Sequence, residues 1–84
     1  MVKKTKLDIS MLKKVVENNG GLIIDARAES CRSVSFLEEL AEIAGNSASY
    51  VIIKNPKSCL DDKKIVAIAK KSCGHVIFDF CESA

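Results

Sequence analysis

Two segments of the chain carry the same pattern: residues 33–55 read SVSFLEELAEIAGNSASYVIIKN, and residues 58–80 read SCLDDKKIVAIAKKSCGHVIFDF. A shift of 25 residues places Leu40 on Ile65 and residues 51–53 (VII) on residues 76–78 (VIF). In each segment, apolar residues first recur at helical spacing and then form a short continuous run, which is typical of a helix followed by a buried strand. The pattern therefore predicts an α-then-β unit that is repeated.

A third copy of this unit precedes the other two. Residues 8–18 have apolar residues at helical spacing, with Asp8 in position to cap the helix, and Leu22–Ile24 form an apolar run. A shift of 29 residues carries this run onto residues 51–53. Three units of about 25 to 29 residues tile most of the chain, so the predicted order is α-β-α-β-α-β.

Two serines are predicted to begin the later helices. Ser35 with Glu38 has the form of a capping box, which predicts a helix from about Phe36. Ser58 is the candidate cap of the third helix, whose inner face is predicted to carry Ile65, Ile68 and Ala69.

The repeat predicts an α/β fold with one domain over residues 1–84, of which residues 1–6 are expected to fray. Crossover connections between parallel strands are right-handed, and consecutive strands are usually neighbours. Three identical units therefore predict a parallel three-stranded sheet in the order 1-2-3, with the three helices mainly on one face.

Strand alternation divides the apolar residues of the predicted sheet into two sets. The larger set, which includes Val51, Ile53 and Phe80, is expected to face the helices. The smaller set is left on the other face, unless the helices divide between both faces and bury it. That second face is the candidate interaction surface. Its predicted residues are Ile23, Ile52 and Ile77, flanked by Asp25, Lys54 and Asp79 with the lysine between the two carboxylates.

Composition favours a soluble globular protein in the cytoplasm. Of the 84 residues, 48% are apolar and 29% are charged, which is ordinary for a folded domain. A net charge of +2 is too small to indicate nucleic acid or a membrane surface as a partner. The N-terminal segment has no apolar stretch after its lysines, so we predict no signal peptide and no membrane span.

The lysine pairs have two interpretations. Glu38–Glu39 of the second helix align with Lys63–Lys64 of the third, and Glu42 aligns with Lys14 of the first. An acidic middle helix between two basic helices predicts complementary charge between neighbours. The alternative is a phosphate-binding patch, which would be expected to include more arginine or interleaved aromatic residues.

No cofactor, metal site or catalytic residue is predicted. His75 opens a strand and Cys81 follows its end, which separates them by roughly 20 Å and excludes a shared metal ion. Cys31, Cys59 and Cys81 each follow a strand, so a thiol cluster at the carboxyl edge of the sheet is one hypothesis. We find no acid pair, nucleophile–base set or phosphate loop, and we predict that the protein is not an enzyme.

The motif V-x-I-x-N at Val51, Ile53 and Asn55, within αβ units of 25 to 29 residues, resembles leucine-rich-repeat proteins. Arg27 and Cys81 are taken to stand in place of the asparagine in the other two units. The resemblance implies a curved parallel-strand architecture that binds other proteins. We therefore expect a protein-interaction module whose partner is another protein or a second copy of this chain.

The segment from Leu22 to Phe80 also resembles STAS domains, the anti-sigma-factor antagonists. In it, the strand sequence LIID is followed by Ser33 and Ser35, a helix, the strand YVIIKNP, a helix and a strand. The resemblance implies a regulatory protein switched by phosphorylation of Ser33 or Ser35. Alternatively, Ser35 only caps the helix. A thiol- or metal-binding protein is the third hypothesis.

Overall fold

The computed structural model of the protein describes residues 9–28 and 31–81, in which helices and strands alternate. The predicted cap at Asp8 and the predicted fraying of residues 1–6 lie outside these ranges. A short 3-10 helix, Pro56–Ser58, follows the second strand. The other elements are α1 Ile9–Glu17, β1 Leu22–Asp25, α2 Val34–Gly45, β2 Val51–Lys54, α3 Asp62–Ser72 and β3 Val76–Asp79.

The strands form one parallel sheet in the order β1-β2-β3, which confirms the predicted α/β topology. Leu22 pairs with Val51, and Val51 pairs with Val76. These pairs are separated by the same 29 and 25 residues that aligned the units in the sequence. Each unit therefore contributes one strand, and equivalent residues of the three units lie side by side.

The strand register corrects one detail of the predicted repeat. Asn55 is one residue beyond Lys54, which pairs with Asp25 and Asp79, so the equivalent positions in the other units are Ala26 and Phe80. Arg27 and Cys81 are each one residue further along the chain. The expectation that they replace the asparagine is wrong because the strands pair at an offset different from the one that aligns the first two helices.

The helices cover one face of the sheet, where α2 contacts both α1 and α3. The residues of the larger strand set are buried beneath them, among them Ile24, Val51 and Ile53. Leu37 and Leu40 of α2 are also fully buried at the centre of this core. Phe80 is an exception to the predicted set, because it lies beyond the end of β3 and is exposed.

The helix α2 begins two residues earlier than predicted, because Ser33 and not Ser35 is its N-cap. The Ser33 Oγ accepts a hydrogen bond from the backbone N–H of Phe36 at 3.3 Å. Ser35 is already inside the helix, and its Oγ lies 3.0 Å from that of Ser33. The helix ends at Gly45 and Asn46, as the sequence predicts.

The start of α3 also differs from the prediction. Ser58 belongs to the 3-10 helix, and Asp61 caps α3 by accepting the backbone N–H of Lys64 at 2.8 Å. The expected inner face is only partly correct: Ile68 is buried, but Ala69 is exposed. Buried Ser72 takes the next inward position, where its hydroxyl donates to the Ala69 carbonyl at 2.8 Å.

Ion pairs link the acidic middle helix to both of its neighbours. The Lys13 Nζ of α1 lies 2.6 Å from Glu39 Oε2, and the Lys71 Nζ of α3 lies 3.4 Å from Glu38 Oε2. This arrangement agrees with the predicted complementary charge between helices, although the lysines involved are not those that the alignment indicated. In the part of the chain that the structure describes, no helix is long and apolar enough to cross a membrane.

Candidate interaction face

The face of the sheet opposite the helices, called the open face below, carries three rows of residues across the strands. The rows exist because equivalent residues pair and because alternate residues of a strand point to the same side. The backbone N–H of Leu22 donates to the Tyr50 carbonyl and that of Val51 to the His75 carbonyl, so the parallel pairing continues before the strands begin. We name the rows the aromatic row (Gly21, Tyr50, His75), the isoleucine row (Ile23, Ile52, Ile77) and the charged row (Asp25, Lys54, Asp79).

The isoleucine row lies in the middle of the open face and is accessible. Ile23 is 68% exposed and Ile77 is 48% exposed, whereas Ile52 is half-buried on the central strand between them. The helices therefore do not divide between the two faces, and no element of residues 9–28 and 31–81 covers this row. The alternative in which helices bury the row is excluded for these elements.

The charged row has the predicted order, with Lys54 paired in register between Asp25 and Asp79. The carboxylate of Asp25, however, is held by other groups. Arg27 donates to both of its oxygens, with Nη2 at 2.8 Å from Oδ2, and Asn55 Nδ2 donates to Oδ1 at 3.2 Å. The ion pairs of the described residues do not include Lys54.

These contacts change the acidity of Asp25. Hydrogen bonds from the side chain and the backbone N–H of Arg27 hold the pKa of the Asp25 carboxyl well below its ordinary value of 3.8. The same contacts raise the pKa of the Arg27 guanidinium. Asp25 is therefore ionised at all physiological pH values, which makes it a fixed negative charge at one end of the charged row.

The aromatic row was not predicted from the sequence. The rings of Tyr50 and His75 are stacked, with centroids 5.0 Å apart and planes inclined by 15°. The Nδ1–H of His75 donates to the Ser49 carbonyl at 2.8 Å, which leaves Nε2 as the remaining polar atom of the ring. The signal was present in the repeat, since a shift of 25 residues places Tyr50 on His75.

The two candidate phosphorylation sites lie away from the open face, at the beginning of α2. Ser33 and Ser35 are both exposed, and their hydroxyl oxygens are 3.0 Å apart. A phosphate group at this end of a helix would be favoured by the helix dipole and the free backbone N–H groups. The geometry is thus compatible with modification and with a purely structural cap.

The three cysteines of the predicted thiol cluster occupy different environments. Cys31 is fully buried in the core, Cys59 is half-buried against it, and Cys81 is exposed. Burial raises the pKa of the Cys31 thiol and that of the Cys59 thiol, which lowers the fraction of reactive thiolate. Across residues 9–28 and 31–81, we find no group of three or more His, Cys, Asp or Glu side chains placed to hold a metal ion.

Two clefts lie outside the open face. One, of about 400 Å³, is lined mainly by Glu17, Glu39 and Glu42 between α1 and α2. The other, of about 340 Å³, lies at the carboxyl edge of the sheet, and its lining residues include Arg27 and Lys57. Both cations are already paired, Arg27 with Asp25 and Lys57 with Asp62, so this cleft offers little free charge to an anion.

No protein-family model, curated protein or solved structure matches this chain. The resemblances to leucine-rich-repeat proteins and to STAS domains therefore stay predictions that rest on the residues quoted for them. Any proposal about function has to be argued from the rows of the open face and from the exposed serines.

Proposed function

We propose that this protein is a non-enzymatic interaction module that binds another protein through the open face. The observation that carries the proposal is the exposed isoleucine row at the centre of that face, with Ile23 68% and Ile77 48% exposed. Interfaces typically have an apolar centre surrounded by polar groups. The isoleucine row has this arrangement, because the aromatic row lies on one side of it and the charged row on the other.

The apolar area supplies a favourable but modest binding energy. Complete burial of an isoleucine side chain contributes roughly 1.5–3 kcal/mol. Since Ile23 and Ile77 are each about half exposed, covering them contributes about 1–2 kcal/mol apiece before the cost of association. The adjacent Tyr50, which is 54% exposed, adds an aromatic side chain of the kind that is enriched in interfaces.

The open face is preformed, which lowers the cost of binding. Its backbone is fixed by pairing on a sheet whose other face is packed against α1, α2 and α3. The β-branched isoleucines have few side-chain rotamers to lose, and the stacked rings of Tyr50 and His75 restrain each other. A partner can therefore bind without reorganising the sheet.

Partner capture with matched variants tests this proposal. Wild type, Ile52→Asp and Val66→Asp would be immobilised and exposed to a lysate of the native cell, and the retained proteins would be identified by mass spectrometry. Ile52→Asp places a charge at the centre of the open face. Val66→Asp is the control, because Val66 is 53% exposed on α3, the layer on the opposite side of the sheet.

We expect a protein that is retained by wild type and by Val66→Asp and is lost with Ile52→Asp. Circular dichroism of the three proteins would confirm that each is folded. Retention of the same proteins by all three would show that the open face is not the binding surface. Loss with Val66→Asp but not with Ile52→Asp would place the surface on the helices instead.

We propose as a second candidate a regulatory protein switched by phosphorylation at the beginning of α2. It is favoured by the exposure of Ser33 and Ser35 and by the 3.0 Å separation of their hydroxyl oxygens. Ser33→Asp retains a capping residue, so it adds charge without removing the cap. If neither Ser33→Asp nor Ser35→Asp changes the set of captured proteins, this candidate is excluded.

A further inference from the structure

The three rows of the open face are spaced so that two copies of the face can match each other. Alternate residues of a strand are about 6.6 Å apart, so the isoleucine row lies midway between the aromatic row and the charged row. A second copy is therefore a natural occupant for the surface identified in the proposed function, on which this inference rests.

Two copies can meet face to face about a two-fold axis that runs either along the strands or across them. An axis along β2 superimposes each row on the same row of the other copy. An axis across the strands at the level of Ile52 superimposes the isoleucine rows but places the charged row of each copy on the aromatic row of the other. The charges of the rows decide between these two arrangements.

The axis along the strands is unfavourable because it brings like charges together. The charged row holds two aspartates and one lysine, so its net charge is −1 and two such rows repel each other. In that arrangement Lys54 also lies opposite the second Lys54, and Asp25 lies opposite Asp79. Opposed like charges across an interface select against the arrangement that contains them.

The axis across the strands gives each charged row a complementary surface. The aromatic row contains no acid, and the ring of Tyr50 attracts a lysine ammonium group placed over its face. The Tyr50 hydroxyl and the His75 ring can also hydrogen-bond to charged groups of the second copy. Stacked sheets pack about 10 Å apart, which is close enough for these side chains to meet.

We infer that the open face pairs with the open face of a second copy about a two-fold axis that crosses the strands at Ile52. Ile23, Ile52 and Ile77 of one copy then pack on the same residues of the other. Lys54 and Asp79 of each copy lie over the aromatic row of the other copy.

The size of the face indicates a weak dimer. Three strands about 4.8 Å apart and three rows about 6.6 Å apart give a patch of roughly 15 by 20 Å. Such a patch buries less than the roughly 1,200 Å² at which stable interfaces begin, so we expect a dissociation constant on the order of 10–100 µM.

Sedimentation equilibrium of the full chain from about 5 to 500 µM, a range that brackets the expected dissociation constant, tests the inference. We expect wild type and Val66→Asp to dimerise equally, and Ile52→Asp to raise the dissociation constant by about 30-fold or more, since it buries two opposed charges. If Ile52→Asp is unfolded by circular dichroism, Ile23→Asp on the edge strand replaces it.

Asp79→Asn tests the direction of the axis. The Asp79 Oδ1 accepts the backbone N–H of Cys81 at 2.8 Å, and an asparagine oxygen can keep this bond. We expect a dissociation constant about 3- to 10-fold higher, because the charged partner of the aromatic row is lost. A tighter dimer would overturn the inference, since relief of repulsion is the result expected for the axis along the strands.

Two further outcomes separate this inference from the proposed function. A wild type that remains monomeric throughout the range overturns the dimer, while the interaction module is still supported if capture depends on Ile52. A dimer that Ile52→Asp leaves intact also overturns the inference, because contacts made through the edge strands β1 and β3 would not involve the central strand.

Discussion

Replacing Gly45 by alanine is expected to destabilise the protein, although the same change usually stabilises a helix. Gly45 is the last residue of α2 and lies against the end of α3. A Cβ atom at this position would lie 2.7 Å from the Lys71 carbonyl oxygen and 3.1 Å from both the carbonyl carbon and the carbonyl oxygen of Ser72. These are backbone atoms, so the clash cannot be relieved by a change of rotamer.

Two opposing effects determine the size of the change. Alanine is favoured over glycine in a helix by about 0.5–1 kcal/mol. Forcing an extra methyl group into a packed contact costs about 1–3 kcal/mol, because α2 and α3 must move apart. The net result is a loss of about 1 kcal/mol, which for a domain of this size lowers Tm by about 4–8 °C.

Urea denaturation followed by circular dichroism measures this loss. We expect Gly45→Ala to lower the midpoint with little change in the slope. Ala69→Gly is the matched control, because Ala69 is exposed on α3 and this change measures the helix preference alone. If Gly45→Ala is as stable as wild type or more stable, the close packing of α2 on α3 is refuted.

Two further predictions concern side-chain contacts. Ser33→Ala is expected to cost about 1 kcal/mol because it removes the cap of α2, whereas Ser35→Ala should be nearly neutral; equal effects in urea denaturation would contradict the assignment of Ser33 as the cap. Arg27→Gln is expected to raise the pKa of Asp25 towards 3.8, which NMR titration of the carboxyl group can measure. Because the folded pKa of Asp25 is depressed, its contribution to stability is present above about pH 4 and is lost as the pH falls further towards the folded value, and Arg27→Gln should weaken this acid sensitivity.

The topology could be predicted because the repeat leaves few alternatives. Offsets of 29 and 25 residues align Leu22, Val51 and Val76, and these residues pair in the sheet. Right-handed crossovers of nearly equal length then place each helix on the same face. The isoleucine row follows directly, since strand alternation assigns Ile23, Ile52 and Ile77 to the side that the helices do not cover.

The helix starts could not be fixed from the sequence. Ser33 and Ser35 are both capable caps within one turn, as are Ser58 and Asp61 before α3. Which of them caps depends on where the chain leaves the preceding strand. Pro56 begins a 3-10 helix directly after β2, and this extra turn moves the start of α3 beyond Ser58.

The sequence by itself determined the strand order, the register and the composition of the isoleucine row, because these follow from periodicity and chain connectivity. The tertiary structure decided which side chains meet across the units. It stacked Tyr50 on His75, turned Asp25 towards Arg27 and placed Cys31 in the core. Such contacts depend on rotamers and loop paths that no sequence period specifies, and they convert an apolar stripe into a face with distinct aromatic and charged sides.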